Sequence, residues 1–260
     1  MYQKLIKNII YPLSDKLMGL SINKNLKKNR STQWYTSSAL GALQKEKLFE
    51  ILSHCNDRIP YYQKLFKDYS FDINGDLPKE LKKIPILTKK IIKQHLPYDL
   101  TDKNRKIYTT EKTSGSSGEQ GEFYLDREAF SKIIAAQTLY WEWAGYSFGK
   151  KAIQTGINPE RGFKKLIKDK LLLIKYSNAF KIDKKIIEET LNPFRNKKDI
   201  YFIGYPSSIY SYAKFSEELG INEVSFKSII SLGDKMFPHY RSLIEKIFNT
   251  EVFDLSLIHI

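Results

Sequence analysis

The chain has 260 residues, of which 42% are hydrophobic, so it can form one large domain or two small ones with a substantial core. It has no long apolar run and a single cysteine, Cys55, which argues against a transmembrane helix, a secretory signal and an internal disulfide, and predicts a cytoplasmic protein. The formal net charge of +14, from 43 basic and 29 acidic residues, makes nucleic acid and anionic membranes partners to consider.

The N-terminal segment is predicted to be helical. Between residues 2 and 20 apolar side chains share one helical face and lysines lie elsewhere. The apolar residues are Leu5, Ile6, Ile9, Ile10, Leu13 and Leu17. This pattern favours docking onto the rest of the protein, with peripheral contact to a membrane surface as the alternative.

The rest of the first hundred residues also follows helical patterns. A polar, basic stretch over residues 23 to 33 precedes a second helix from about Ser38 to His54, which Pro60 ends. The segment "LPKELKKIPILTKKIIKQHL" predicts two short helices separated at Pro85, the second capped by Thr88. We therefore expect residues 1–100 to form a mostly helical N-terminal region.

From Lys106 onward the pattern changes to alternating strands and helices. "KIYTTEKTS" and "GEFYLD" predict two strands around a Gly/Ser loop, and Asp126 caps a long helix that stops at Gly145. The following strands are "KAIQTGI", "LLLIKYS", "DIYFIGY", "FKSIISLG" and "TEVFDL", with the helices "ERGFKKLIKDK", "DKKIIEETLNPF", "PSSIYSYAKFSEELG" and "PHYRSLIEKIFN" between them. This order predicts an α/β fold in which residues 101–260 form a nucleotide-binding region around a largely parallel sheet. Ligands of such sheets bind at the carboxyl ends of the strands.

The Gly/Ser loop within "KTSGSSGEQGEFYLD", residues 112 to 126, has the composition of an anion-binding loop. Its glycines permit converging backbone amides, its hydroxyls add donors, and Lys112 adds positive charge. It is not a Walker loop, because Gly118 is followed by Glu119, and it is not a Rossmann loop, because a strand follows it. A nucleophile elbow also fails to match. On composition alone, a plain flexible loop and a phosphate-binding loop are equally supported.

The surrounding segments carry a family resemblance. The loop resembles the phosphate-binding loop of adenylate-forming enzymes. Together with "IPYYQKLF", "IPILTK" and a strand that ends in "DR", it is similar to the phenylacetate–CoA ligase family, in particular to CapK-like members of capsule and surface-polysaccharide biosynthesis. Two downstream segments, "YFIGYPSSIYSYAKFSEELG" and "IISLGDKMFPHYRSLIEKIFNTEVFDL", resemble that branch in the same order, so the resemblance extends from Trp34 to Leu255.

The resemblance implies an AMP-forming acid–thiol ligase. Such enzymes use ATP and Mg²⁺ to convert a carboxylate into an acyl-adenylate, which then passes to CoA or another acceptor. The residues that would hold the β- and γ-phosphates are Thr113, Ser114, Gly115, Ser116, Ser117 and Gly118. Gly233 and Asp234 match the loop that lies against adenine, where Asp234 replaces a more usual Glu. Tyr205, Pro206 and Ser207 would line the acyl pocket, although a simple helix N-terminus explains them equally well.

The resemblance ends at Leu255. In the family this strand continues into a Tyr-Gly-x-x-Glu segment, whereas here "SLIHI" follows. The acidic ribose ligand, the hinge and the small C-terminal domain with its catalytic lysine have no counterpart in the sequence. We therefore expect a C-terminally truncated ligase fragment, in which residues 256–260 are a non-native tail, no catalytic residue is assigned, and adenylation is not completed.

The remaining chemically interesting residues give weaker signals. His95, His239 and His259 have no metal-ligand spacing, so no protein-built metal site is expected, and Cys55 is interpreted as packing rather than as a nucleophile. The aromatic residues 140, 141 and 143 are predicted to pack in the core rather than in an acyl pocket.

Two other function classes stay open at this stage. One is a non-catalytic module that binds a nucleotide or a partner protein. The other is a basic nucleic-acid-binding protein, which the sequence does not favour. Its 36 lysines are scattered over the whole chain, and no RGG run, zinc-finger spacing or RNP motif accompanies them.

Overall fold

The computed structural model describes residues 2–112, 121–156 and 162–255, which form two compact units. One unit combines the residues up to Met18 with those from Ala136 onward, and the other is Gly19–Ala135. The elements in chain order are α1 Tyr2–Leu5, a π-helical turn Ile6–Ile10, α2 Tyr11–Leu17, α3 Ile22–Thr32, α4 Ser37–Arg58, α5 Pro60–Asp68, α6 Leu77–Glu80, α7 Lys89–His95, β1 Thr109–Lys112, β2 Glu122–Leu125, α8 Arg127–Trp143, β3 Lys151–Gly156, α9 Phe163–Leu171, β4 Ile174–Asn178, α10 Lys184–Leu191, a 3₁₀ turn Asn192–Phe194, β5 Ile200–Gly204, α11 Pro206–Glu218, β6 Ser228–Leu232, α12 Pro238–Phe248 and β7 Val252–Leu255.

The Gly19–Ala135 unit contains helices α3 to α7 and the hairpin β1–β2. Thr88 caps α7 as predicted, since its Oγ1 accepts a hydrogen bond from the amide of Ile91 at 3.3 Å. Residues 23 to 33, given above only as a polar, basic stretch, lie almost entirely in helix α3. Ile22 and Leu26, four residues apart, are both buried and give α3 an apolar edge that holds it as a helix.

The two strands that flank the Gly/Ser loop in the sequence form a hairpin, as predicted. Its strands pair antiparallel from Thr109 opposite Leu125 to Lys112 opposite Glu122. The Lys112 ammonium lies 3.2 Å from the Glu122 carboxylate, so a cross-strand ion pair joins the last paired residues of the hairpin.

The other unit is built on a five-stranded sheet in the order β4-β3-β5-β6-β7, in which every described pair is parallel. This confirms the predicted α/β fold class. The central strand β5 is buried along its whole length, which explains why its sequence, "IYFIG", is apolar without alternation.

Two apolar clusters cover the two faces of this sheet. Ile200 and Phe202 belong to the larger cluster with α10, α11 and α12, whereas Tyr201 and Ile203 belong to the smaller cluster with Trp141. The connection through α9 runs toward the β4 edge and the later connections run the other way. Right-handed crossovers therefore place α9 on the face opposite α10–α12, which is the face of the smaller cluster.

The N-terminal helix, here the nearly continuous helical residues 2–17, packs onto the turn that precedes β3. Ile6 is fully buried against Gly149, and Tyr11 stacks on Phe148 with ring centroids 4.1 Å apart. A Cβ on Gly149, whose φ is +87°, would lie 2.9 Å from the Ile6 Cβ, so this contact depends on glycine. Within residues 2–112, 121–156 and 162–255, no helix is both long and apolar enough to cross a membrane.

Candidate functional site

The carboxyl ends of the parallel strands meet along one edge of the sheet. In the strand register, Thr155 on β3 lies beside Gly204 on β5, Gly204 pairs with Ser231, and Leu232 pairs with Leu255. The turns that follow β5 and β6 begin at Tyr205 and Gly233, two of the residues that the sequence analysis selected. The fold therefore brings these two segments to the same edge.

Buried hydroxyl groups fix the turn that leads from β5 into α11. Ser208 Oγ donates to the Tyr205 carbonyl at 2.9 Å, and Thr155 Oγ1 lies 2.8 Å from Ser208 Oγ. Because the Ser208 proton is used in the first bond, Thr155 must donate in the second. A Cβ on Gly204 would overlap Thr155 Oγ1, so only glycine fits between them. This network holds the backbone of Tyr205 at the end of its strand.

The backbone of Gly233 lies directly against the Tyr205 ring. Gly233 has a φ of +84°, and a Cβ there would lie 2.7 Å from Tyr205 Cε1. Glycine thus serves two purposes: it permits the left-handed backbone and allows the ring to approach. The next residue, Asp234, is exposed, and its Oδ1 accepts a hydrogen bond from the Lys235 amide at 2.7 Å.

Two helices start at this edge. α11 begins with Pro206 after the N-cap residue Tyr205, and α12 begins with Pro238 after the N-cap residue Phe237. Within the described part of the chain, neither N-cap makes a side-chain capping bond, so the first-turn amides point their partial positive charge outward. An anionic group at this edge would be stabilised by both helices.

The two ends of this edge of the sheet carry different side chains. At the β3–β4 end the side chain of Tyr176 lies over Gly156, where a Cβ would come within 2.7 Å of the Tyr176 hydroxyl. At the β6–β7 end, Asp254 Oδ1 accepts a hydrogen bond from Ser231 Oγ at 3.3 Å, and the Asp254 side chain is exposed. The β4 end is therefore covered by an aromatic ring, whereas the β7 end presents an exposed carboxylate.

The predicted site residues are only partly described. Thr113, Ser114, Gly115, Ser116, Ser117 and Gly118 lie outside the described residues. Pro206 is buried at the first position of α11, as the helix N-terminus interpretation of "YPSS" requires, while Ser207 is exposed. The sequence analysis missed Thr155 and Ser208, because their contact depends on strand register, which no local pattern reveals.

Cys55 and the two tryptophans of α8 show no feature of a catalytic or binding site. Burial raises the pKa of the Cys55 thiol, so it stays protonated at neutral pH and is a poor nucleophile. Trp141 packs in the core as predicted, but Trp143 is 57% exposed, so the core prediction was wrong for that residue. Among the described residues, no group of three or more His, Cys, Asp or Glu side chains could hold a metal ion.

A cavity of about 340 Å³ lies within the Gly19–Ala135 unit. Its walls are mainly apolar and include Ile59, Leu87, Ile92, Leu100, Ile107 and Leu125. On one side His54 Nε2 lies 3.5 Å from Asp102 Oδ2, and Arg105 Nε lies 3.6 Å from the same oxygen. Three segments quoted for the family resemblance, "IPYYQKLF", "IPILTK" and the strand that ends in "DR", contribute to its lining, but no local pattern shows that they meet.

Comparison with known proteins identifies the fold. No family model matches the chain, and no curated protein matches it. Solved structures of 2-hydroxyisobutyryl-CoA ligase do. In the post-adenylation state with 2-HIB-AMP, the TM-score is 0.65 at 17% identity over 85% of this chain and 49% of that chain. In the thioesterification state with 2-HIB-AMP and CoA, the TM-score is 0.60 at 15% identity over 85% and 49%.

The architecture matches part of the fold of 2-hydroxyisobutyryl-CoA ligase. The chain spans about half the length of the ligase structures that it matches. At these identities the likeness concerns the fold, and the roles of individual residues have to be argued from the site itself.

Proposed function

We propose that the chain is the nucleotide-binding part of an ATP-dependent, adenylate-forming ligase. The reaction of the whole enzyme would join a carboxylate to the α-phosphate of ATP, release pyrophosphate, and pass the acyl group to CoA or another acceptor. The observation that carries this proposal is the fold shared with a ligase whose solved structures hold 2-HIB-AMP, alone or with CoA.

The edge at β5, β6 and β7 supports the proposal chemically. The Gly233 backbone and the Tyr205 ring are in contact, so a base held at one turn and an acyl group held at the other would be neighbours. The uncapped first turns of α11 and α12 suit an anionic group. We assign the adenine side of the ligand to Gly233 and Asp234, and the acyl side to Tyr205, Pro206 and Ser207.

The cofactors follow from the same assignment. ATP supplies a leaving group that activates the carboxylate. Mg²⁺ would enter with the phosphates, since the described residues contain no ready-made metal cluster and Mg²⁺ commonly binds through substrate phosphates and one or two carboxylates. Thr113 to Gly118 would hold the β- and γ-phosphates, the role that the family resemblance implies for them.

On the motif resemblance we further propose the phenylacetate–CoA ligase-like, CapK-like branch, acting in the cytoplasm in surface-polysaccharide biosynthesis. Deleting the gene should reduce the surface polysaccharide of the producing cell, and an unchanged polysaccharide would contradict this assignment.

That this 260-residue polypeptide does not complete adenylation stays a prediction. Pyrophosphate release from ATP in the presence of carboxylates tests it, and turnover would show it to be wrong.

The phosphate loop can be tested by nucleotide-dependent stability. ATP at one hundred times its dissociation constant should stabilise the protein by about 2.7 kcal/mol, and the double variant Ser114→Ala, Ser116→Ala should lose most of this gain. The measurement is the melting temperature with and without ATP. The matched control is Ser37→Ala, Ser38→Ala in the first turn of α4, whose serines are exposed and which should keep the full response.

The same variants distinguish the nucleic-acid alternative. A nucleic-acid-binding protein would bind DNA with an affinity that falls steeply with salt, because each phosphate contact releases a counterion. Binding of that kind, unaffected by the changes at Ser114 and Ser116 and accompanied by no response to ATP, would overturn the proposed function.

A further inference from the structure

The N-terminal helix carries an apolar stripe that points away from the protein. Leu5, Ile9, Leu13 and Leu17, spaced four residues apart, are 42%, 56%, 55% and 78% exposed. The helix is attached through other side chains, since Ile6 packs on Gly149 and Tyr11 stacks on Phe148. Of the six apolar residues that the sequence marks, Ile6 is therefore fully buried against the protein, whereas these four are exposed.

Helix α9 also exposes its apolar side chains. Phe163, Leu166, Ile167 and Leu171 lie at helical spacing on one face and are 78%, 53%, 45% and 41% exposed. A surface helix normally buries its apolar face and exposes its polar face. Both helices belong to one unit, and both expose apolar side chains. Together they form more exposed apolar surface than the scattered single side chains of an ordinary monomer.

On both helices the acidic side chain is buried and the lysines are exposed. Each helix has one acidic residue, Asp15 or Asp169, and each of these is buried at 6% exposure. The exposed charged side chains that flank the apolar residues are the lysines Lys4, Lys7, Lys16, Lys168 and Lys170. The outward faces thus combine apolar and cationic side chains, with the carboxylates turned inward.

The two stripes belong to one region of the unit. Tyr2 Oη donates a hydrogen bond to the Leu171 carbonyl at 3.1 Å, which joins the start of the N-terminal helix to the end of α9. The N-terminal helix also packs on Phe148, whose ring meets Tyr146 edge-on, and Tyr146 belongs to the cluster on the α9 face of the sheet.

We propose that the N-terminal helix and α9 together form a docking surface for an anionic lipid bilayer. The leucine, isoleucine and phenylalanine side chains would enter the boundary between headgroups and acyl chains, and the lysines would contact lipid phosphates. Nucleic acid would leave the apolar side chains exposed, so it does not fit this surface. A second protein copy would bring the same lysines together, which disfavours self-association through this face.

Sedimentation with lipid vesicles tests the proposal on the whole chain. Vesicles that contain phosphatidylglycerol should pull down the protein much better than vesicles of phosphatidylcholine alone, and salt should weaken this binding. The double variant Leu17→Glu, Leu166→Glu, with one change on each helix, should bind at least about tenfold more weakly. Both positions are more than half exposed, so the variant should keep its circular dichroism spectrum and melting temperature.

The matched control is Leu219→Glu, at the C-cap of α11 on the other face of the sheet, where the leucine is 38% exposed. It should bind vesicles as the unchanged protein does. The proposal is overturned if the protein shows no preference for phosphatidylglycerol, or if the double variant binds like the control. It is also overturned if sedimentation equilibrium shows a dimer that the double variant disrupts while vesicle binding is absent.

Discussion

Replacing Gly204 by alanine should lower the free energy of unfolding by about 3 kcal/mol, the upper range for overpacking a buried site. Gly204 is the buried last residue of the central strand β5, and an added Cβ would overlap Thr155 Oγ1. Neither partner can move easily. Thr155 is held by its bond to Ser208, and Gly204 is held by its parallel pairing with Ser231 on β6. Urea unfolding followed by tryptophan fluorescence measures the loss.

The control for this change is Gly162→Ala, in the same unit. Gly162 is the N-cap of α9 and has no atom within 4 Å of the added Cβ, so the change should cost about 1 kcal/mol or less, the usual loss from alanine at an N-cap. The second variant Gly204→Ala, Thr155→Ala removes the overlapping oxygen and should recover part of the loss. Equal losses in the single and the double variant would show that the Thr155 contact is not the cause.

The fold was largely predictable because its signals are local. The apolar run "IYFIG" indicates a buried strand, Asp126 accepts the amide of Ala129 at 2.7 Å as a helix cap, and prolines 206 and 238 open α11 and α12. Each of these features depends on residues within a few positions of one another. The order of strands and helices then leaves few topologies for a parallel sheet.

The errors come from contacts between distant segments. α3 looks like a polar connection because only Ile22 and Leu26 are buried in eleven residues, and tertiary packing decides that it is helical. Trp143 is an exception: it lies two residues after Trp141, about 200° around the helix, so the helical period already separates the two rings. The pair Thr155 and Ser208, 53 residues apart, becomes visible only when the strand register is known.

The candidate site was predictable in part for the same reason. Motifs located the turns at Tyr205 and Gly233, and the fold brings these turns into contact. The motifs could not show that the Tyr205 ring rests on the Gly233 backbone, nor that most apolar side chains of the N-terminal helix stay exposed while Ile6 is buried. Both facts depend on side-chain directions that the sequence period alone leaves undetermined.

Replacing Gly233 by alanine should remove the stabilisation that ATP or AMP gives to the protein. The change has two costs. An L-residue at a φ of +84° loses about 1–2 kcal/mol relative to glycine, and its Cβ, 2.7 Å from Tyr205 Cε1, would push the ring away from the turn. The first cost lowers stability with or without nucleotide. The second cost changes the surface that we assign to adenine, so it should lower nucleotide affinity, measured by titration calorimetry.

Gly220→Ala separates the two costs. Gly220 follows α11 with a φ of +66°, and no atom lies within 4 Å of an added Cβ. This variant should lose a similar amount of stability yet bind nucleotide with unchanged affinity. If Gly233→Ala also binds nucleotide normally, the ring and turn at this edge do not contact the base, and the nucleotide must be sought elsewhere. If Gly233→Ala alone loses binding, the contact between Tyr205 and Gly233 is part of the nucleotide site, since backbone strain is common to both variants.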